Sequence, residues 1–333
     1  MVHRILSIFA VIIVLGLLGP MAATAQVSSS TKTTYTPPKT SDGQPDIQGI
    51  WNNSTMTPVE RPPELAGKEF FSAEEAAAYE KQSLLQSNAD RRDGGADADV
   101  GRAYNEFWRD RGGVVPTRRT SLVVDPRDGR IPPLTPDAQK RNAARAEFRR
   151  LHPADGPEDR PLAERCLLWN SAGPPMLPVG YNSNYQIVQA PGYVVIHIEM
   201  VHEARIIPLD GRTHLPSSVG QWLGDSRGRW EGNTLVVETT NFTDKTAFRG
   251  ASEKMRLVER FSRVAPNMLL YDFTVDDPAS FTKPWSGQVP MTKTEGPLFE
   301  YACHEGNYGL TNVLAGTRAE EKAAERGVKP NEE

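Results

Sequence analysis

The chain has 333 residues, with 38 lysines and arginines against 42 aspartates and glutamates, 27 glycines, 27 prolines and two cysteines. A single long apolar run excludes a polytopic membrane protein, and two cysteines are too few for a disulfide scaffold. A net charge of −4 and an isoelectric point near 6.0 argue against a nucleic-acid binder.

His3 and Arg4 precede an apolar run from Ile5 to Leu18, which Gly19-Pro20 breaks. Ala23-Thr24-Ala25 follows with the small-x-small pattern that signal peptidase requires. This predicts a Sec signal peptide over residues 1–25, cleaved after Ala25, and a periplasmic or secreted protein. The competing reading is a membrane anchor, but the run is shorter than the roughly 20 apolar residues that span a bilayer. Cleavage therefore leaves no stable membrane anchor.

Residues 26–44 are rich in Ser, Thr, Lys and Pro and read as a flexible leader. The segment from Pro45 to Trp51 carries the apolar residues to dock onto a larger body. Ser72 followed by Glu75 forms a capping box, which predicts a helix to about Asn88. Arg91 to Val100 reads as a charged surface loop. Ser121–Asp125 and Arg130-Ile131, separated by Pro126-Arg127-Asp128-Gly129, predict a short hairpin. Thr135-Pro136 is an N-cap followed by proline at the first helical position, which opens a helix to about Leu151. Residues 45–160 thus read as a helical and loop region that wraps a body.

That body, residues 161–315, reads as β. The expected strands are Tyr185–Gln189, Tyr193–Glu199, Ala204–Leu209, Thr234–Thr240, Met255–Val264, Met268–Asp276 and Leu298–Cys303. They are short and punctuated by turns such as Pro191-Gly192 and Ala265-Pro266-Asn267. A last helix, about Arg318 to Arg326, lies in a tail of residues 316–333. The expected fold is mainly β, with an antiparallel barrel-like or sandwich (calycin-like) body and peripheral helices.

Alternation assigns the faces of these strands. Val194, Ile196 and Ile198 oppose Tyr193, Val195, His197 and Glu199. Leu269, Tyr271, Phe273 and Val275 oppose Met268, Leu270, Asp272, Thr274 and Asp276. Phe299, Tyr301 and Cys303 oppose Leu298, Glu300, Ala302 and His304. The mixed faces either meet solvent or line a cavity on which His197, Glu199, Glu238, Asp272, Glu300 and His304 converge. His197 and Glu199, two apart on a strand, suit an acid–base pair or metal ligands, with His202 as a third ligand. A divalent metal is the cofactor such a set would take; an ordinary turn cluster is the plainer reading. His197, Glu199 and His304 are the catalytic candidates, and Glu238, Asp272, Glu300 and Trp222 the binding candidates. The first of these clusters loosely resembles the first cupin motif, with Glu199 where a second histidine is expected. Gly228-Arg229-Trp230 is similar to the Gly-x-Trp of lipocalins, although it stands late in the chain. The α/β-hydrolase elbow, P-loop, dinucleotide and H-E-x-x-H motifs are absent. Export makes a Cys166–Cys303 bridge the favoured state of the cysteines, with two buried free thiols as the alternative.

Several segments together resemble an uncharacterised family of exported proteins from soil and aquatic bacteria. They are Pro45–Trp51, Val124–Leu134, Glu164-Arg165-Cys166, Arg205–Arg212, Gln221–Gly228, Trp230–Phe242 and Tyr301–Tyr308. The resemblance implies a single unit from about residue 45 to 315 with both cysteines in family motifs. It implies no activity, and no functional residue is carried over from it. The residues themselves point to a small-molecule ligand or substrate and away from nucleic acid. One reading is a hydrolase or lyase with a His/Glu site in a β cavity. The others are a periplasmic ligand-binding or carrier protein without catalysis and an envelope interaction protein.

Overall fold

The computed structural model describes residues 35–327 apart from 103, 104, 170, 171 and 247. The predicted signal peptide and the leader up to residue 34 lie outside the described residues. Among the described residues, one antiparallel sheet of ten strands dominates. Its strands are β1 Gly49–Asn52, β2 Val123–Asp125, β3 Asn184–Ala190, β4 Tyr193–Ile198 and β5 Ala204–Pro208. They continue with β6 Asp225–Glu231, β7 Thr234–Thr240, β8 Arg256–Ala265, β9 Met268–Asp276 and β10 Trp285–Thr294. The order across the sheet is β5-β4-β3-β1-β10-β9-β8-β7-β6, with β2 added to β10. The helices are α1 Ala73–Ser87, α2 Gly95–Arg102, α3 Pro136–Leu151 and α4 Tyr308–Glu325.

The sheet curls, because its two edges meet. No ladder joins β5 to β6 among the described residues. Instead Arg205 of β5 donates to Ser226 of β6 at 3.3 Å. A Cβ built on Gly228 of β6 would stand 2.6 Å from Leu209 and 2.8 Å from Ile207. Only glycine lets the two edges approach this closely. The body is therefore barrel-like, with a seam held by side chains rather than by backbone bonds.

Period-2 alternation decides what fills it. Val194, Ile196, Ile198, Leu269, Tyr271, Phe273 and Val275 all point inward and are buried. Tyr271 packs against Phe261 and Phe273 with ring centroids 5.0 and 5.6 Å apart. Trp285 joins Phe273 at 5.6 Å, edge to face. Gly287 of β10 lies under Phe273, whose ring a Cβ there would meet at 2.4 Å.

The segment carrying Trp51 docks as expected, and it does so as β1, inserted between β3 and β10. Trp51 is fully buried, and its indole N–H donates to Ile47 O at 2.9 Å. An aromatic of this kind buries ~150–250 Å², which at ~25 cal/mol/Å² stabilises the docked strand by about 4–6 kcal/mol. The helix starts follow the sequence. Ser72 Oγ accepts from Glu75 N–H at 3.2 Å while Glu75 accepts from Ser72 N–H at 2.8 Å. Thr135 Oγ1 accepts from Ala138 N–H at 3.2 Å.

Four local expectations fail. Residues 95–102 form α2 rather than open loop. Val123–Asp125 pairs with Ser286 and Gly287 of β10 instead of folding back on Arg130-Ile131. Leu298–Cys303 is not a strand, and α4 begins at Tyr308, ten residues earlier than expected from Arg318.

Candidate functional site

β4 ends at Ile198, and the chain turns immediately. Glu199 takes a helical conformation, and Val201 and His202 have φ of 60° and 48°. A β-branched residue in the left-handed region costs of order 1–3 kcal/mol, which surrounding packing must hold in place. The turn ends the strand alternation, so Glu199 does not stand beside His197. It swings into the body and is 2% exposed. Its Oε2 accepts from Asn184 Nδ2 at 2.7 Å, and its Oε1 accepts from Phe299 N–H at 3.0 Å. Each oxygen thus accepts from one neutral N–H donor.

Glu199 thereby fastens the segment after β10 to the end of the barrel. Two more ties hold that segment. His202 Nδ1 lies 2.9 Å from Tyr301 O. Cys303 is bonded to Cys166, with Cα atoms 5.7 Å apart. The disulfide predicted from export and cysteine count is present.

Between this strap and residues 107–110 runs a groove of about 780 Å³. Its rim carries Phe107, Trp108 and Phe299, which are 82%, 60% and 68% exposed. Tyr181 and Tyr301 continue the aromatic lining, and Arg109, Asp110, Glu199 and Glu300 supply the charges. Arg109 sits over the Tyr181 ring at 5.8 Å. Large aromatic rings this exposed are unusual on a soluble surface unless something covers them.

The other sequence candidates are dispersed. His197 points outward from β4, opposite Gln186 and Ala204. His304 is exposed in a turn outside the groove lining. Asp272 lies on the outer face of β9, where it accepts from Gln288 Nε2 at 2.7 Å. Burial raises the Asp272 carboxyl above the usual range, against the lowering effect of Gln288 and Arg260. Glu238, on the outer face of β7, pairs with Arg256, which holds its carboxyl below the usual range. Trp222 is 39% exposed in the loop between β5 and β6. Of the predicted constellation, the groove gathers only Glu199 and Glu300. Among the described residues, no three His, Cys, Asp or Glu side chains gather where one metal ion would reach them. His197, Glu199 and His202 do not converge in this structure: one faces outward on β4, and the turn carries the other two toward residues 299–301.

Two further polar clusters were not legible in the sequence. Inside the barrel, Arg205 donates to Glu259 of β8 at 3.0 and 2.5 Å. Tyr271 O–H donates to the same carboxylate at 2.8 Å. All three groups are buried. Burial opposes the Arg205 charge, yet Glu259 holds its pKa above the ordinary value. Burial and the Glu259 charge push the Tyr271 hydroxyl well up. At the β5–β6 loop, Asp225 accepts from His214 Nδ1 at 3.0 Å, from Leu215 N–H at 2.9 Å and from Arg227 at 2.6 Å. Burial works against the Asp225 charge, but these donors keep its carboxyl below the usual range. The His214 Nε2 lies 3.6 Å from Glu238. The groove residues 107–110 did leave a signal, an aromatic pair set in the polar run Glu106-Phe107-Trp108-Arg109-Asp110.

In comparisons with known proteins, the chain matches no protein-family model and no curated protein.

Proposed function

We propose that this is an exported protein that binds a small molecule in the groove between residues 107–110 and the disulfide-tethered strap. The observation that carries the reading is the pairing of exposed aromatic rings with a buried carboxylate in one cleft. A volume of about 780 Å³ lies within the range of ligand sites, which combine apolar walls with a few placed polar groups. The binding reading is favoured over a hydrolase or lyase because His197, Glu199 and His304 do not share a face. Export is supported by the disulfide, which persists in oxidising compartments.

The test is a fluorescence screen of the mature chain against a small-molecule library. A genuine groove ligand changes the emission of the native protein, and Trp108→Phe removes most of that change. Phe299→Ala weakens the same ligand about tenfold, the loss of one buried aromatic contact. Hits whose signal and affinity are unchanged in both variants would refute the groove as the site.

A further inference from the structure

Building on the groove as a binding site, we infer that its ligand is an organic cation, an ammonium group attached to an apolar or aromatic body. Asp110, Glu199 and Glu300 place three carboxyl groups on the lining, against the single guanidinium of Arg109. None of the three carboxylates forms a salt bridge with a basic side chain among the described residues. That contrasts with Asp225, Glu238 and Glu259, each of which is held by an arginine. Among the described residues the Asp110 carboxyl accepts only from the neutral Asn52 amide, at 2.6 Å. Among the described residues the Glu199 carboxyl accepts only from the Asn184 amide and the Phe299 N–H.

Glu199, 2% exposed, is hydrogen-bonded on both oxygens but has no cationic partner among the described residues, and a cation is the ligand group that complements a buried acid. Arg109, the basic residue on the lining, sits over the Tyr181 ring. The rim then supplies what ammonium recognition uses besides acid: aromatic faces. Phe107 and Trp108 stand edge to face with centroids 5.0 Å apart, and Phe299 lies on the strap across from them. Aromatic rings attract a cation through their quadrupole, and they cover its apolar body at the same time. A neutral ligand would leave the excess of acidic side chains on the lining unmatched, and an anion would meet two more acidic groups than basic ones.

The experiment titrates the mature protein by calorimetry with benzyltrimethylammonium, benzyl alcohol and benzoate. Trp108→Ala, Glu300→Gln and Glu199→Gln are measured alongside, after thermal melts show that each is folded. Glu300 is exposed, so its variant stands even if the buried Glu199→Gln misfolds. The cation is expected to bind at least about tenfold more tightly than either other probe, and to lose about tenfold in Trp108→Ala. Glu300→Gln is expected to weaken it severalfold, with added salt reducing the difference. Equal or tighter binding of benzyl alcohol or benzoate, lost in Trp108→Ala, would overturn the cation and leave the groove standing. Cation binding unchanged in both Trp108→Ala and Glu300→Gln would overturn the assignment to this groove. Binding of none of the three overturns the cation inference, while library hits sensitive to Trp108→Phe would still uphold the groove.

Discussion

Replacing Glu259 with leucine isolates the energetics of the barrel interior. Glu259 is fully buried and faces Arg205 and Tyr271. The substitution removes the two Arg205 bonds at 3.0 and 2.5 Å and the Tyr271 bond at 2.8 Å. Arg205 keeps only long contacts to Ser226 and Thr239, at 3.3 and 3.4 Å. A buried guanidinium left without its counter-charge costs about 3–5 kcal/mol. The stranded Tyr271 hydroxyl, which still accepts from Met176 N–H at 3.0 Å, adds about 1 kcal/mol. Glu259→Leu is therefore expected to lose about 4–6 kcal/mol, a large fraction of the ~5–15 kcal/mol that holds a typical domain folded. Arg205→Met with Glu259→Leu removes both charges and replaces them with apolar volume. It should recover most of the loss and come within about 2 kcal/mol of the native protein. Urea unfolding of native, single and double variants forms a double-mutant cycle. A double variant as unstable as Glu259→Leu would show that the cost is packing at β8 rather than an uncompensated charge. That result would refute the electrostatic account.

Three other outcomes follow from named contacts. Cys166→Ser with Cys303→Ser opens a closure spanning 137 residues in sequence, which the chain-entropy model values at about 5 kcal/mol as an upper figure; a denaturant midpoint unchanged by the pair of substitutions would contradict it. Asp272 has its carboxyl raised by burial, so the folded state takes up the proton more readily than the unfolded chain. Its contribution is present below the unfolded value and is lost as pH rises through the folded one; Asp272→Asn should therefore raise Tm near neutral pH, with the gain shrinking in acid as native Asp272 protonates. Gly287→Ala drives a methyl into the Phe273 ring, which it would meet at 2.4 Å, and should cost about 1–3 kcal/mol in a thermal or urea melt.

Local chemistry made much of the fold readable. The alternation of β4 and β9 predicted which residues are buried, because side-chain direction along a strand is set by the backbone alone. Ser72 with Glu75, and Thr135 with Pro136, marked helix starts for the same reason. β10 was hidden by Pro290, which argues against an interior strand. The structure shows why it is tolerated. Gln288 N–H donates toward Leu122 on the β2 side at 2.9 Å. Two residues on, the Pro290 nitrogen faces the same side, in the gap before β1 begins its pairing at Thr292. β6, Asp225 to Glu231, was obscured by its charges, which suit an edge strand.

What the sequence determined by itself was the strands β3, β4, β5, β7, β8 and β9, the inward faces of β4 and β9, two helix caps and a credible partner for each cysteine. These depend on backbone geometry and on residues close in the chain, or on there being two cysteines to join. Only the tertiary structure decided the strand order that inserts β1 between β3 and β10, and the meeting of Arg205 with Glu259 across 54 residues of chain. It also decided the groove. Glu199 was assigned to the face of His197 because alternation assumes that the strand continues, whereas the turn at Val201 and His202 redirects it. Residues 107–110, 181–184, 199 and 299–303 share a cleft because the barrel end, the strap and the disulfide bring them together. Periodicity reports which way a side chain points from its own strand. It carries no information about which distant segment it will meet, because that is fixed by the strand order and by the curl that brings the two edges of the sheet together.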